Sequence, residues 1–287
     1  MTHKTKGIDL VLGAGGVKGF GHIGVLRALR DLKVEISSVT GVSVGSLIAA
    51  MYTNGLSLDQ IFAEMYDGMK NRNDPTILLK TLSFPDPISF MVGGSIDLTG
   101  PMREMVARLN LKTNDRLKIV SCDYFRKEPV LFAGENYDLA KAITASCALP
   151  TVMRPVWQMS EGGLRLLVDG AVYHYNPTDF CSGEAIVSSF LPATEMTTEW
   201  QQPIDLYFHY REMFMPIAGQ RRYVDPSRHV VIDIGLPDVA GLNYGLSLAK
   251  CQEMEQDGYD RTIKAVTAAR AAGRLDARVD AKVEVTV

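Results

Sequence analysis

Ser43 sits at the centre of Gly41-Val42-Ser43-Val44-Gly45, between an apolar run that reads as a strand and one that reads as a helix. A serine on a tight strand-to-helix turn has its hydroxyl pushed clear of the backbone, and flanking glycines remove side chains that would collide there. A helix starting just after Ser43 turns its positive end toward any oxyanion formed beside that hydroxyl. The second constellation is Gly13-Ala14-Gly15-Gly16-Val17-Lys18-Gly19, again between a strand and a helix. Backbone N–H groups left unsatisfied at a helix start can hold an anion or an oxyanion. The third, Val168-Asp169-Gly170-Ala171, puts a carboxylate at the end of an apolar strand. There it either reaches across the sheet into a site or simply opens a turn. Hydroxyl, amides and carboxylate together would suit nucleophilic chemistry at a carbonyl.

The elements that must position these residues alternate. Ile8 to Leu12 reads as a strand, and Ile23, Leu26, Leu29 and Leu32 predict a helix over 19–32. A strand over 36–40 and a buried helix over 43–52 follow, then a helix over 58–69. Further helices are expected over 101–109 and 138–147, and strands over 117–121, 129–132, 166–168, 185–187 and 229–234. The periodic stretch from Leu246 to Ala272 predicts a long last helix with Gly273 as its stop. The stretch 75–97 is apolar but broken by Pro85 and Pro87, so it is expected to be either buried packing or an apolar lid. No linker or repeat divides the chain, and residues 1–287 read as a single α/β domain.

Composition narrows the function classes. Of 287 residues 46% are apolar, and 30 Lys+Arg against 33 Asp+Glu give a net charge of −3. That is too apolar for a disordered chain and lacks the basic excess of a nucleic-acid binder. Cys122, Cys147, Cys181 and Cys251 have no paired spacing, so neither a disulfide framework nor a metal site is expected. No apolar run approaches the roughly 20 residues of a membrane span. A cytoplasmic protein without cofactor is the expectation, with delivery elsewhere left open. A dinucleotide is the main rival ligand, because Gly15, Gly19, Gly21 and the pair Tyr137 and Lys141 fit a short-chain dehydrogenase pattern. Against it, no acidic residue ends the second strand to hold a ribose.

In combination and order, Gly15-Gly16 before one helix, Gly-x-Ser-x-Gly before the next and Asp169-Gly170-Ala171 far downstream resemble the patatin-like phospholipases. Gly21-His22-Ile23-Gly24-Val25-Leu26, Thr144-Ala145-Ser146-Cys147-Ala148-Leu149-Pro150 and Gly258-Tyr259 are similar as well. The likeness is strongest over 7–177 and 229–266 and poor over 173–226. Ala14 departs from the family's first loop glycine, which is harmless if its φ is negative.

The resemblance implies a three-layer α/β/α fold with a mainly parallel central sheet, and hydrolysis of phospholipid or other acyl-ester lipids. Ser43 would attack the ester, Asp169 would serve as base in a dyad, and the amides of Gly15, Gly16 and Val17 would form the oxyanion hole. Gly13, Lys18, Gly19, Gly41, Gly45, Gly170 and Ala171 would support them. Lys18 would order the loop, attract phosphate or simply be solvated, and His22 would be a packed core histidine. Peripheral membrane contact would run through the 75–97 lid. Two alternatives remain: a Ser-Asp-His triad drawing on His174, His209 or His229, and a non-catalytic lipid- or partner-binding protein on the same scaffold.

Overall fold

Short apolar runs buried along their whole length are the mark of strands covered on both faces, as in a parallel sheet. Ile8–Leu12 and Ala185–Ser189 are buried at every position and mainly apolar, with Asp9, Ser188 and Ser189 as their polar members. The structure, a computed structural model, describes residues 7–72, 81–82, 94–190, 224–236 and 238–275. Its elements are β1 (Ile8–Leu12), α1 (Phe20–Asp31), β2 (Ile36–Val42), α2 (Val44–Thr53), α3 (Leu58–Arg72) and α4 (Thr99–Arg108). After these come β3 (Leu117–Asp123), β4 (Glu128–Ala133), α5 (Leu139–Ser146), β5 (Val156–Ser160) and β6 (Gly163–Asp169). β7 (Ala185–Ser189), β8 (Val230–Asp233) and α6 (Leu248–Ala271) complete them, with 3-10 turns at Gly16–Gly19, Gly170–Val172 and Thr178–Phe180.

The strands form one eight-stranded sheet. β8, β7, β1, β2 and β3 lie side by side and parallel, while β4, β6 and β5 add antiparallel pairs. A mixed, mainly parallel sheet flanked by helices agrees with the α/β architecture that the resemblance implies. Strand alternation sorts the core. Leu10, Leu12, Val39, Leu117 and Ile119 pack with Ile23, Leu26, Ile48, Ile143 and Met254 of the helices. Val42 and Val120 turn the other way, toward Tyr175, and Val11 and Val187 turn toward Val224.

Two features differ from the sequence reading. A 3-10 turn at Gly16–Gly19 precedes the first helix, and β5 has no counterpart among the expected strands. Most β5 residues are half-buried and Met159 is exposed, so the period-two signal that reveals a strand is missing. Of the 75–97 stretch, residues 75–80 and 83–93 lie outside the described residues. Leu82 and Ile96 form an antiparallel bridge, and Ile96 bridges Met153, so the described ends of this stretch meet on one anchor.

The long last helix packs lengthwise on the first, and glycine decides how close they come. A Cβ on Gly258 would lie 2.1 Å from the Gly21 carbonyl oxygen, and one on Gly24 would collide with the Glu255 carbonyl. Arg27 ties the pair further by an ion pair with Glu255, and a second one to Asp59 links α1 to α3. Gly258→Ala gains about 1 kcal/mol of helix propensity but forces two backbones apart. Overpacking of this kind costs roughly 1–3 kcal/mol, and here the obstacle is main chain, which cannot rotate away. With the cost at the upper end of that range, the expected result of urea unfolding is a net loss of about 2 kcal/mol; a variant as stable as the parent would show that the helices are not held at this distance.

Candidate active site

β2 ends at Val42, and the next residue reverses the chain into α2. Ser43 takes φ +54° and ψ −126°, a region of backbone space that costs a residue with a side chain roughly 1–3 kcal/mol. The two flanking glycines allow the reversal because they take up no room. A Cβ on Gly41 would lie 2.5 Å from the Gly45 carbonyl oxygen, and one on Gly45 would lie 2.1 Å from that of Leu12. Both have ordinary φ, so the requirement is space. The elbow is braced on both sides: Ser46 Oγ donates to the Ser43 carbonyl at 2.7 Å, and the Ser43 N–H donates to Ser146 Oγ at 3.0 Å.

Asp169 reaches the same place from the opposite direction. β4 pairs with β3 from Lys118 to Asp123 along one edge. The other edge is shared: β2 uses it up to Val120 in parallel, and β6 uses it from Asp123 back to Ser121 in antiparallel. β2 and β6 therefore run toward each other along β3. Val42 stands opposite Val120 and Asp169 opposite Ser121, one position further along. Past Asp169 the chain slips into the gap, where a Cβ on Gly170 would lie 2.3 Å from the Val120 carbonyl oxygen. Asp169 is only 2% exposed. Its Oδ1 accepts from the Ala171 N–H at 2.8 Å, and its own N–H donates to the Ala148 carbonyl at 2.9 Å.

The glycine loop follows β1, whose Leu12 pairs with Gly41, so it flanks the elbow at the same end of the sheet. Its amides are not equivalent. Gly13 donates to Ser188 O, Ala14 to Tyr175 O, Lys18 to Gly15 O and Val17 to Gly241 O, the last at 2.8 Å. Among the described residues the N–H groups of Gly15 and Gly16 meet no acceptor, and both glycines are half-buried. Gly16 has φ +58°, and a Cβ there would lie 2.0 Å from the Gly241 carbonyl oxygen, so the loop is shaped to receive that carbonyl. Gly19 lets the 3-10 turn close on α2, where a Cβ would lie 2.5 Å from Val44 Cγ2. Ala14 is not among the residues with positive φ, so its departure from glycine carries no strain. Lys18 is half-buried on the turn.

The described histidines are committed elsewhere. His22, fully buried, lies 2.8 Å from the Gly13 carbonyl through Nε2 and 2.7 Å from Ser188 Oγ through Nδ1. A carbonyl only accepts, so Nε2 carries the proton and Nδ1 receives the Ser188 hydroxyl. Burial lowers its pKa from 6.5 to about 4, outweighing the opposing bond to Gly13. His174 accepts the Asn176 N–H on Nδ1, and burial lowers its pKa to about 4 against the pull of Asp179. As a neutral ring its proton is then on Nε2, with no lone pair left for a base. His229 accepts from the Ala185 N–H, at the start of β7 and the far end of the sheet from Ser43. His209 lies outside the described residues.

Sequence reasoning passes over three participants: Ser146, the Ala148 carbonyl and Gly241. The first two belong to the Thr144–Pro150 segment singled out by resemblance; nothing in the sequence marks Gly241. Among the described residues no group of three or more His, Cys, Asp or Glu is arranged to hold a metal ion. No helix among them is long and apolar enough to cross a membrane.

Fold and site define an α/β protein with a serine on a strained strand-to-helix elbow and an aspartate brought to it along the neighbouring strand. Residues 10–181 match the patatin-like phospholipase family, and the chain belongs to it. Patatin-like phospholipase domain-containing protein 6 of Homo sapiens is 36% identical over 177 residues, which is 60% of this chain and 12% of that protein. An uncharacterized NTE family protein of Mycobacterium tuberculosis is 30% identical over 170 residues, covering 58% of this chain and 42% of its own. The chain thus spans less than half the length of these relatives. VipD from Legionella pneumophila shares the fold, with a TM-score of 0.52 at 13% identity over 92% of this chain and 67% of that one.

The His22 clamp on the glycine loop has a pH signature. Between about pH 4 and 6.5 the unfolded chain takes up a proton at this position that the folded protein refuses, so stability falls as pH falls through that window. Complete loss of this contribution is worth on the order of 3 kcal/mol. His22→Gln keeps a donor for Gly13 and an acceptor for Ser188 but cannot titrate. In urea unfolding at pH 7 and pH 4, the wild type is expected to lose about 3 kcal/mol more than His22→Gln. Equal losses would show that His22 is not held neutral.

Proposed function

We propose that the protein is a serine hydrolase of carboxylic esters in lipids, with phospholipids as its substrate class. The observation that carries this reading is the convergence of β2 and β6 on one edge of β3. It brings Ser43 and the buried Asp169 together beside the amides of Gly15 and Gly16, which meet no acceptor among the described residues. Family membership supports the lipid ester as substrate. The net charge of −3 gives no attraction to an anionic surface, so recognition would rest on the ester and its acyl chains.

In the first step Ser43 Oγ attacks the ester carbonyl carbon while Asp169 takes the hydroxyl proton. The carbonyl oxygen becomes an oxyanion against the Gly15 and Gly16 amides. Each such donor is worth a few kcal/mol when it is fixed before reaction. Collapse of the tetrahedral intermediate breaks the bond to the leaving alcohol, which receives the proton from Asp169. Water then attacks the acyl-Ser43 ester, gives its proton to Asp169, and fatty acid leaves as Ser43 regains its hydrogen. The amide of Val17, a third donor by resemblance, is held by Gly241, so we assign the oxyanion to Gly15 and Gly16. The bonding of His22, His174 and His229 favours a dyad over a triad. Lys18 would lie beside the loop, where a lysine can meet a headgroup phosphate.

Ser43→Ala and Asp169→Asn are expected to lower kcat by at least about 10^3-fold on phospholipid and short-chain esters alike, with Ser43→Ala also abolishing fluorophosphonate labelling. His174→Gln is expected to stay within about threefold of wild type. Full activity in Ser43→Ala would sink the reading, and its loss in His174→Gln would move the base from dyad to triad.

A further inference from the structure

Where β2 leaves β3, a ladder hydrogen bond is missing. Val42 is paired with Val120, but Ser43 turns into α2 instead of continuing along the strand. The Ser43 N–H and the Val120 carbonyl then need other partners, because backbone polar groups inside a protein are not left unpaired. One side chain serves both. Ser146 Oγ accepts from the Ser43 N–H at 3.0 Å and donates to the Val120 carbonyl at 2.7 Å. A hydroxyl does this well with a single atom, a thiol only weakly, and the carbonyl fixes the direction of the proton. Ser146 has no exposed surface and ends α5.

The same turn holds the other half of the site. Two residues beyond Ser146, the Ala148 carbonyl accepts the Asp169 N–H at 2.9 Å. One short stretch of chain therefore grips the backbone of Ser43 through a side chain and that of Asp169 through the main chain. The grip matters because the Ser43 conformation is unfavourable by itself and persists only where its surroundings over-determine it. Ser46 secures the carbonyl side of Ser43, and Ser146 secures the amide side.

We propose that Ser146 is a positioning residue: its hydroxyl fixes the nucleophile's backbone at the elbow, in register with the carboxylate held by the same turn. This deepens the hydrolase reading and rests on it. The test compares Ser146→Ala, Ser146→Cys (similar size, weak hydrogen bonding) and Ser146→Thr (hydroxyl retained). Thr262→Ala is the remote control, since it removes a buried hydroxyl bonded to Gly258 in α6. The readouts are kcat and KM on a p-nitrophenyl ester, the rate of fluorophosphonate labelling, thermal stability, and hydrogen exchange at the Ser43 amide.

Ser146→Ala and Ser146→Cys are expected to lower kcat and the labelling rate by about 10- to 100-fold, the scale of a misplaced reacting group, with KM within about twofold. The Ser43 amide is expected to exchange faster in both. Ser146→Thr should recover most of the activity, and Thr262→Ala should lose stability alone. If Ser146→Ala does not fold, Ser146→Cys carries the same expectation. Folded variants with kcat and labelling within about twofold of wild type, or an unchanged exchange rate at Ser43, would overturn the role of Ser146. A wild-type protein that neither cleaves ester nor labels at Ser43 would instead overturn the hydrolase reading, while the exchange measurement still decides whether Ser146 holds the elbow.

Discussion

β3 has one edge fully taken by β4 and another divided between β2 and β6, which run toward each other. Two strands that meet end to end on one edge cannot both continue, so each must leave the sheet where they meet. β2 leaves by the elbow at Ser43 and β6 by the 3-10 turn after Asp169. The spacing of Ser43 and Asp169 is thereby set by the pairing of strands. Loop sites are looser, and on the proposed reading a reacting pair built on strand ends gains from that precision. The glycine loop joins them because β1 is the next strand over and stops at the same level, Leu12 beside Gly41.

The geometry carries a local cost that the surroundings hold in place. Ser43 is strained, and the carbonyl and amide on either side of it are each tied by a serine hydroxyl. The glycine loop is tied in a different way, with the carbonyl of Gly13 gripped by a neutral, buried histidine and its flanking amides by β7, by Tyr175 and by Gly241. What this bonding leaves unmatched, among the described residues, is the pair of amides at Gly15 and Gly16. Donors fixed in this way need little reorganisation when negative charge appears, which is where such sites draw their advantage.

The parts legible in the sequence are those governed by local rules. Gly41 and Gly45 announce a chain reversal because a side chain at either would strike main chain only a few residues away or on the adjacent strand. Alternation and apolar runs disclose the parallel strands. Ser146 enters only as part of a resembling segment, because its partner Ser43 lies 103 residues earlier and no spacing rule connects them. Gly241 is hidden for the same reason: its carbonyl acts through the backbone, and backbone contacts between distant loops leave no residue-type signature. β5 escapes because an edge hairpin with an exposed Met159 shows neither burial nor alternation.

On the proposed reading, the choice of base among the described residues follows from accounting for lone pairs. A neutral imidazole has one, and His22 gives it to Ser188, His174 to the Asn176 amide, and His229 faces the wrong end of the sheet. A carboxylate has several, so Asp169 can accept from the Ala171 N–H on Oδ1 and still act on a proton, with that bond fixing the plane of the group. Aspartate is the weaker base, and on the proposed reading the deficit is made up elsewhere. Burial removes the water that would compete for the carboxylate, and the elbow presents the hydroxyl at fixed range. The glycine amides lower the energy of the oxyanion that proton removal helps to form. A dyad of this kind depends more on placement than a histidine triad does, because less of its power lies in the intrinsic basicity of one side chain. On that reading, this dependence gives a physical reason for holding Ser43 and Asp169 from a single turn at Ser146–Ala148.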